Sequence, residues 1–228
     1  MKLKKIVKYN YTLTEETLEK DIDKFIENAK NGDFHMDKMY QNEGLKIIKQ
    51  YFRILKEKFK NNEFEECKIC YHKLIPFLLV ASSGENDLFD YNDLLAKITS
   101  EFDDYIKNYF ICLVKTCSID ELTDKIFEYA SALDIYGFDS DFEVLLNNLS
   151  KEQLNEFEEK MLMKLQSASI KEENRKSGAY FLIEMSEHQE NKERYLKLCE
   201  RLKGVLMDEE IVSLKEEYKD YALSRGKG

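Results

Sequence analysis

The densest group of chemistry-bearing side chains is Cys67-Lys-Ile-Cys70-Tyr-His72, two thiols and an imidazole with the composition of a zinc-ligand set. Zinc sites place such a cysteine pair on a knuckle and add a second ligand pair. Here the triplet lies inside a helical pattern with His72 on another face, so the spacing favours thiols packed as small apolar groups. Cys112, Cys117 and Cys199 complete the cysteines, and His35, His72 and His188 are the only imidazoles. A cysteine nucleophile needs a base beside it in space, and none lies near these cysteines in sequence. Asp139, Asp141 and Glu143 alternate like calcium-loop acids, but no glycine holds the sixth loop position and Ser150 stands where the bidentate acid belongs. Asp87, Asp90 and Asp93 repeat at helical spacing and extend to Asp103 and Asp104. Paired carboxylates do acid-base work when their surroundings split their pKa values, whereas a helix entrance explains the same residues through the helix dipole. With no phosphate-binding glycine loop, GxSxG elbow or HExxH pair, the sequence implies no enzyme, no cofactor and no metal.

A different kind of chemistry is carried by Lys46, Lys49, Arg53, Lys56 and Lys60. At 100° per residue they share a narrow arc beside an apolar half-circumference formed by Leu45, Ile47, Ile48, Tyr51, Phe52, Ile54, Leu55 and Phe59. In a chain of net charge -10, such a row faces an acidic protein partner, a nucleic-acid backbone or acidic helices of the same molecule. Together with Tyr136, Phe138 and Asp139 of the turn Tyr136-Gly-Phe-Asp139, it forms the candidate partner-binding set.

The elements that must position these residues read as helices. The apolar arc from Leu45 is wider than a two-helix seam needs, which predicts neighbours on two sides. Asn62 with Glu65 signals the start of the next helix, nearly apolar throughout, and Pro76 predicts a kink or stop. Capping boxes at Thr12–Glu15, Ser118–Glu121, Ser150–Gln153 and Ser169–Glu172 mark further starts, and Gly32 a stop. Periodicity predicts one long helix from Leu94 to about Cys117, hairpinned with the one that follows Ser118, and another through Tyr195 to Leu206. Alternation from Ile6 to Leu13 suggests a short strand or arm. The expected fold is all-α: roughly nine helices in antiparallel hairpins stacked as an α-α superhelix, one domain with a candidate subdomain boundary at 82–88.

Composition agrees. The 228 residues are 43% hydrophobic and 35% charged, with one proline and eight glycines, few for a loop-rich chain. The acidic balance argues against generic nucleic-acid or anionic-membrane binding. An odd number of cysteines reads as reduced thiols and a cytoplasmic location. Met1-Lys-Leu-Lys-Lys lacks a following apolar stretch, so no signal peptide is expected, and the run Leu74 to Ala81 is too short to span a bilayer.

Tyr51, Ile54, Asn62, Phe64, Cys67 and Tyr71 are spaced in a way that resembles the tetratricopeptide repeat, although Leu55 stands where that family places a small residue and Lys58 where it places tyrosine. From about Asn61 to Lys160, Ser83-Gly84, Leu122 to Phe127, Asp134, the Tyr136–Asp139 turn and Leu149 are similar to an uncharacterised helical domain found with SWIM zinc-finger proteins, without the zinc finger itself. These resemblances imply a superhelix used for protein contacts and no catalytic residue. The leading expectation is a non-enzymatic protein-binding module. The alternatives are an acidic inhibitor or immunity-type protein that neutralises a basic toxin or nuclease, and an enzyme whose site is assembled from distant helices.

Overall fold

The computed structural model describes residues 17–34, 41–82, 94–98, 102–132, 142–189 and 191–225. The Ile6–Leu13 alternation, the Thr12–Glu15 box, the 83–93 stretch and the Tyr136–Asp141 turn lie outside them. The fold is all-α, with no strand among the described residues. The helices are α1 (Leu18–Lys30), α2 (Gln41–Lys60), α3 (Phe64–Ser82), α4 (Leu94–Ile98), α5 (Phe102–Thr116), α6 (Ile119–Ala130), α7 (Phe142–Asn148), α8 (Lys151–Leu165), α9 (Glu172–His188), α10 (Lys192–Arg201) and α11 (Asp208–Arg225). The single helix expected from Leu94 to Cys117 is therefore described as two, α4 and α5. The chain forms two compact units: 1–116 with 132–141, and 117–131 with 142–228. The division places α5 in the first unit and α6 in the second.

In the first unit α3 lies in the middle, packed on α1, α2, α4 and α5. Its composition favours this, because Cys67, Cys70, Tyr71, Leu74, Ile75 and Leu78 cover much of its circumference, and all six are fully buried. Pro76 neither stops the helix nor shortens it, for α3 continues to Ser82. The proline leaves the His72 carbonyl without its usual donor, a cost offset by the apolar packing on both sides of it. Phe59 and Phe64 meet edge to face across the α2–α3 turn, with ring centroids 5.4 Å apart.

That turn corrects the reading of Asn62. Its φ is +62°, and the bonds from Asn62 N to the Phe59 carbonyl (3.0 Å) and from Glu63 N to the Lys58 carbonyl (3.1 Å) close α2 from its C-terminal end. Asn62 ends one helix instead of starting the next, because asparagine tolerates the left-handed region that this closure requires. Gly32, at φ +75°, ends α1 the same way.

The second unit is tied by side chains between neighbouring helices. Lys160 and Lys164 of α8 pair with Asp120 and Asp124 of α6. Gly178 lets α9 approach both, since a Cβ there would lie 2.7 Å from Leu165 Cδ2 and 3.3 Å from the Phe127 ring. The Tyr195 hydroxyl donates to the Leu214 carbonyl at 3.0 Å, and its ring stacks on Tyr218 at 4.2 Å, joining α10 to α11. Ser150 and Gln153 form the full reciprocal box, and Ser118 Oγ accepts from Glu121 N. Ser169 does not cap α9: its hydroxyl bonds Ser167, and the helix begins after Lys171 with no side-chain cap. Gly204, at φ +88°, turns the chain so that α10 ends at Arg201 and not at Leu206.

Candidate partner-binding face

The helix that carries the basic row is held from inside. Ile47, Ile48, Tyr51, Phe52 and Leu55 fill its inward arc and are at most 1% exposed. The Tyr51 hydroxyl donates to the Asp21 carbonyl of α1 at 3.0 Å, and its ring meets Phe25 at 5.7 Å. On the other side Phe52 stacks on Tyr105 at 4.3 Å and meets Phe102 edge to face at 5.9 Å. The wide arc therefore does serve two neighbours. Leu45, Ile54 and Phe59, at its margins, are half-buried.

This packing fixes the direction of the opposite arc, and Lys46, Lys49, Arg53, Lys56 and Lys60 are all exposed. The ends of the row are partly neutralised on the same helix, Lys46 by Glu43 and Lys60 by Glu57, each at 2.7 Å. Among the described residues Lys49 and Arg53 make no ion pair. Lys58 is turned away from the row. It bonds Glu63 at 2.8 Å and Glu66 at 2.7 Å across the turn, and these two carboxylates, Glu63 foremost, hold its ammonium pKa well above the usual lysine range.

Other sequence candidates are placed differently. Tyr136, Phe138 and Asp139 lie outside the described residues, as do His35, Asp87, Asp90, Asp93 and Asp141. Cys67 and Cys70 are buried, and His72 Nδ1 lies 2.7 Å from the Tyr109 hydroxyl. Among the described residues no three His, Cys, Asp or Glu side chains converge as a metal site. His188 is exposed with its ring against Phe142, and Asp103 and Asp104 are exposed at the first turn of α5. Cys112 and Cys199 are buried, and Cys117 is half-buried.

Sequence reasoning missed a charged groove between α8 and α10, a cavity of about 360 Å³ lined by Asn155, Glu158, Asn191, Arg194, Lys197 and Arg201 among others. Buried Glu158 accepts from Arg194 Nε at 3.1 Å and Nη2 at 2.7 Å through one oxygen. Arg201 forks onto Glu159 at 2.5 and 2.6 Å, which holds the Glu159 carboxyl below its usual range. Each guanidinium is thus already paired with a carboxylate of α8, and the groove acts as a clamp between helices. Arg194 and Arg201 seven residues apart was the available signal, but it does not name the partners on α8.

The chain matches no family model, no curated protein and no solved structure. Among the described residues no helix is long and apolar enough to cross a membrane.

Proposed function

We propose that this chain is a non-enzymatic protein-binding module whose α2 presents its basic arc to an acidic segment of another protein. The observation that carries this reading is the exposure of all five basic side chains on one face of a helix whose opposite face is locked into the core. Long-range attraction needs charge that is not already neutralised, and Lys49 and Arg53 supply it at the middle of the row. The net charge of -10 repels anionic partners from the molecule at large, so attraction confined to this strip would also orient the approach.

The test is fluorescence anisotropy with a labelled peptide rich in Asp and Glu, titrated with the full chain at low and moderate salt. The wild type is expected to bind and to weaken as salt rises. Lys49→Glu with Arg53→Glu is expected to lose about tenfold or more at low salt with an unchanged helical circular-dichroism spectrum. Equal binding by the two proteins would remove the strip from the reading.

A further inference from the structure

The groove between α8 and α10 belongs to the second unit, and its side chains carry more hydrogen-bonding capacity than the clamp uses. A guanidinium has two edges, each able to fork onto an oxoanion. Arg194 spends its Nε–Nη2 edge on Glu158, and Arg201 spends its Nη1–Nη2 edge on Glu159. Among the described residues the other edge of each makes no hydrogen bond: Nη1 with the second Nη2 hydrogen on Arg194, and Nε with the second Nη2 hydrogen on Arg201. Asn191 uses its Oδ1 on Arg194 N at 3.1 Å and keeps its amide hydrogens, and Lys197 pairs with Glu193 alone, at 2.7 Å. Charge by itself selects no ligand here, because Arg194, Lys197 and Arg201 balance Glu158, Glu159 and Glu193. Each carboxylate already accepts a charged bond, whereas each guanidinium keeps a forked edge in reserve. The capacity left over calls for an acceptor.

We propose that this groove is a binding site for a small phosphate monoester with a hydroxyl-bearing body. The two guanidiniums flank one carboxylate, Arg194 Nη2 at 2.7 Å from one Glu158 oxygen and Arg201 Nη1 at 3.8 Å from the other, so a single small ligand reaches both. A carboxylate ligand has two coplanar oxygens and fills one edge. A phosphate monoester has three terminal oxygens in a tetrahedral arrangement and serves two edges at once. Lys197, exposed at the rim on its flexible stem, adds a third cation for the dianion. Helix α10 starts beside the groove, with Asn191 as its N-cap, so the positive end of its dipole acts in the same sense.

The rest of the lining describes the body of the ligand. Leu198 is the one apolar side chain named in it, and the Asn155 and Asn191 amides match hydroxyl groups better than hydrocarbon. At about 360 Å³ the cavity lies near the small end of the roughly 300–1,000 Å³ typical of small-molecule sites. Each cation already shares its charge with a carboxylate, so the affinity is modest, with a dissociation constant on the order of 1 mM. The site is distinct from the basic strip of α2, which belongs to the other unit.

The experiment is isothermal titration of the full chain with glucose 6-phosphate, using glucose and succinate as comparison probes. Glucose 6-phosphate is expected to bind, and glucose and succinate to bind about tenfold more weakly or not at all. Lys197→Glu with Asn155→Asp, both at exposed positions, should weaken glucose 6-phosphate about tenfold or more with an unchanged helical circular-dichroism spectrum. Arg201→Lys keeps the charge and loses the fork, and should weaken it about threefold or more. Lys49→Glu with Arg53→Glu should leave it unchanged, which separates this site from the α2 strip. Absence of glucose 6-phosphate binding at about 10 mM overturns the inference, as does succinate or glucose binding equally well. So does full affinity in the groove variants, or an equal loss in the α2 variant. The comparison of probes on the wild type needs no variant, so a folding defect in any of them leaves the test intact.

Discussion

Gly178 sits in the interior of α9, where alanine would normally be preferred by about 1 kcal/mol. A Cβ at this position would lie 2.7 Å from Leu165 Cδ2, roughly 1 Å inside ordinary carbon–carbon contact, and 3.3 Å from two atoms of the Phe127 ring. Leu165 is fully buried and has no solvent to retreat into. Overpacking of this kind costs about 1–3 kcal/mol, so Gly178→Ala is expected to lose about 1 kcal/mol net and Gly178→Val about 3 kcal/mol. Urea denaturation followed by circular dichroism measures both. The decisive arm is the background Leu165→Ala, which removes the obstructing methyl and by itself costs about 2–5 kcal/mol. There Gly178→Ala should turn from a loss into a gain of a few tenths of a kcal/mol, since only the 3.3 Å approach to the Phe127 ring still opposes the helix preference. A gain from Gly178→Ala equal in both backgrounds would refute the close-approach argument.

Asn62→Gly should raise stability by a few tenths of a kcal/mol and Asn62→Ala lower it by about 1 kcal/mol, both read by thermal melting; a loss from Asn62→Gly as well as from Asn62→Ala would return Asn62 to the role of helix starter. Glu158→Gln leaves Arg194 with a neutral acceptor in a half-buried place and should cost about 1–3 kcal/mol by urea denaturation, with replacement of both partners by apolar residues costing less. Burial holds the Glu187 carboxyl above its usual 4.5, so the folded state favours the protonated form, and its contribution is complete below that value and lost as pH rises through the raised one. Glu187→Gln should therefore melt above the wild type at pH 7 and level with it near pH 4, as scanning calorimetry at the two pH values would show.

How much the sequence revealed depended on whether the physics was local. The buried arc of α2 and the reciprocal box at Ser150 follow from residues a few positions apart, and both are present as expected. Asn62 and Ser169 show the limit of the same rules: each carries a valid starting signal, but which of two adjacent helix ends takes the residue depends on backbone closure, visible only as the φ of +62° at Asn62. Pro76 was read from its local clash alone, while the surrounding core decided that α3 should continue. For the candidate face, periodicity placed the five basic residues on one arc. Their exposure, and the diversion of Lys58 to Glu63 and Glu66, depended on tertiary neighbours. The Glu158–Arg194 clamp joins residues 36 positions apart, a separation that helical spacing cannot bridge.

Neutralisation at both ends of the α2 row has a geometric result. Two of the cations between those ends, Lys49 and Arg53, are one helical step of four residues apart, about 6 Å along the axis. Carboxylates four apart on a helix repeat at that same interval, and those two apart on an extended chain at about 6.6 Å. On the reading proposed above, a ruler of this length would select the interval between a partner's negative charges and be nearly indifferent to the secondary structure that sets it.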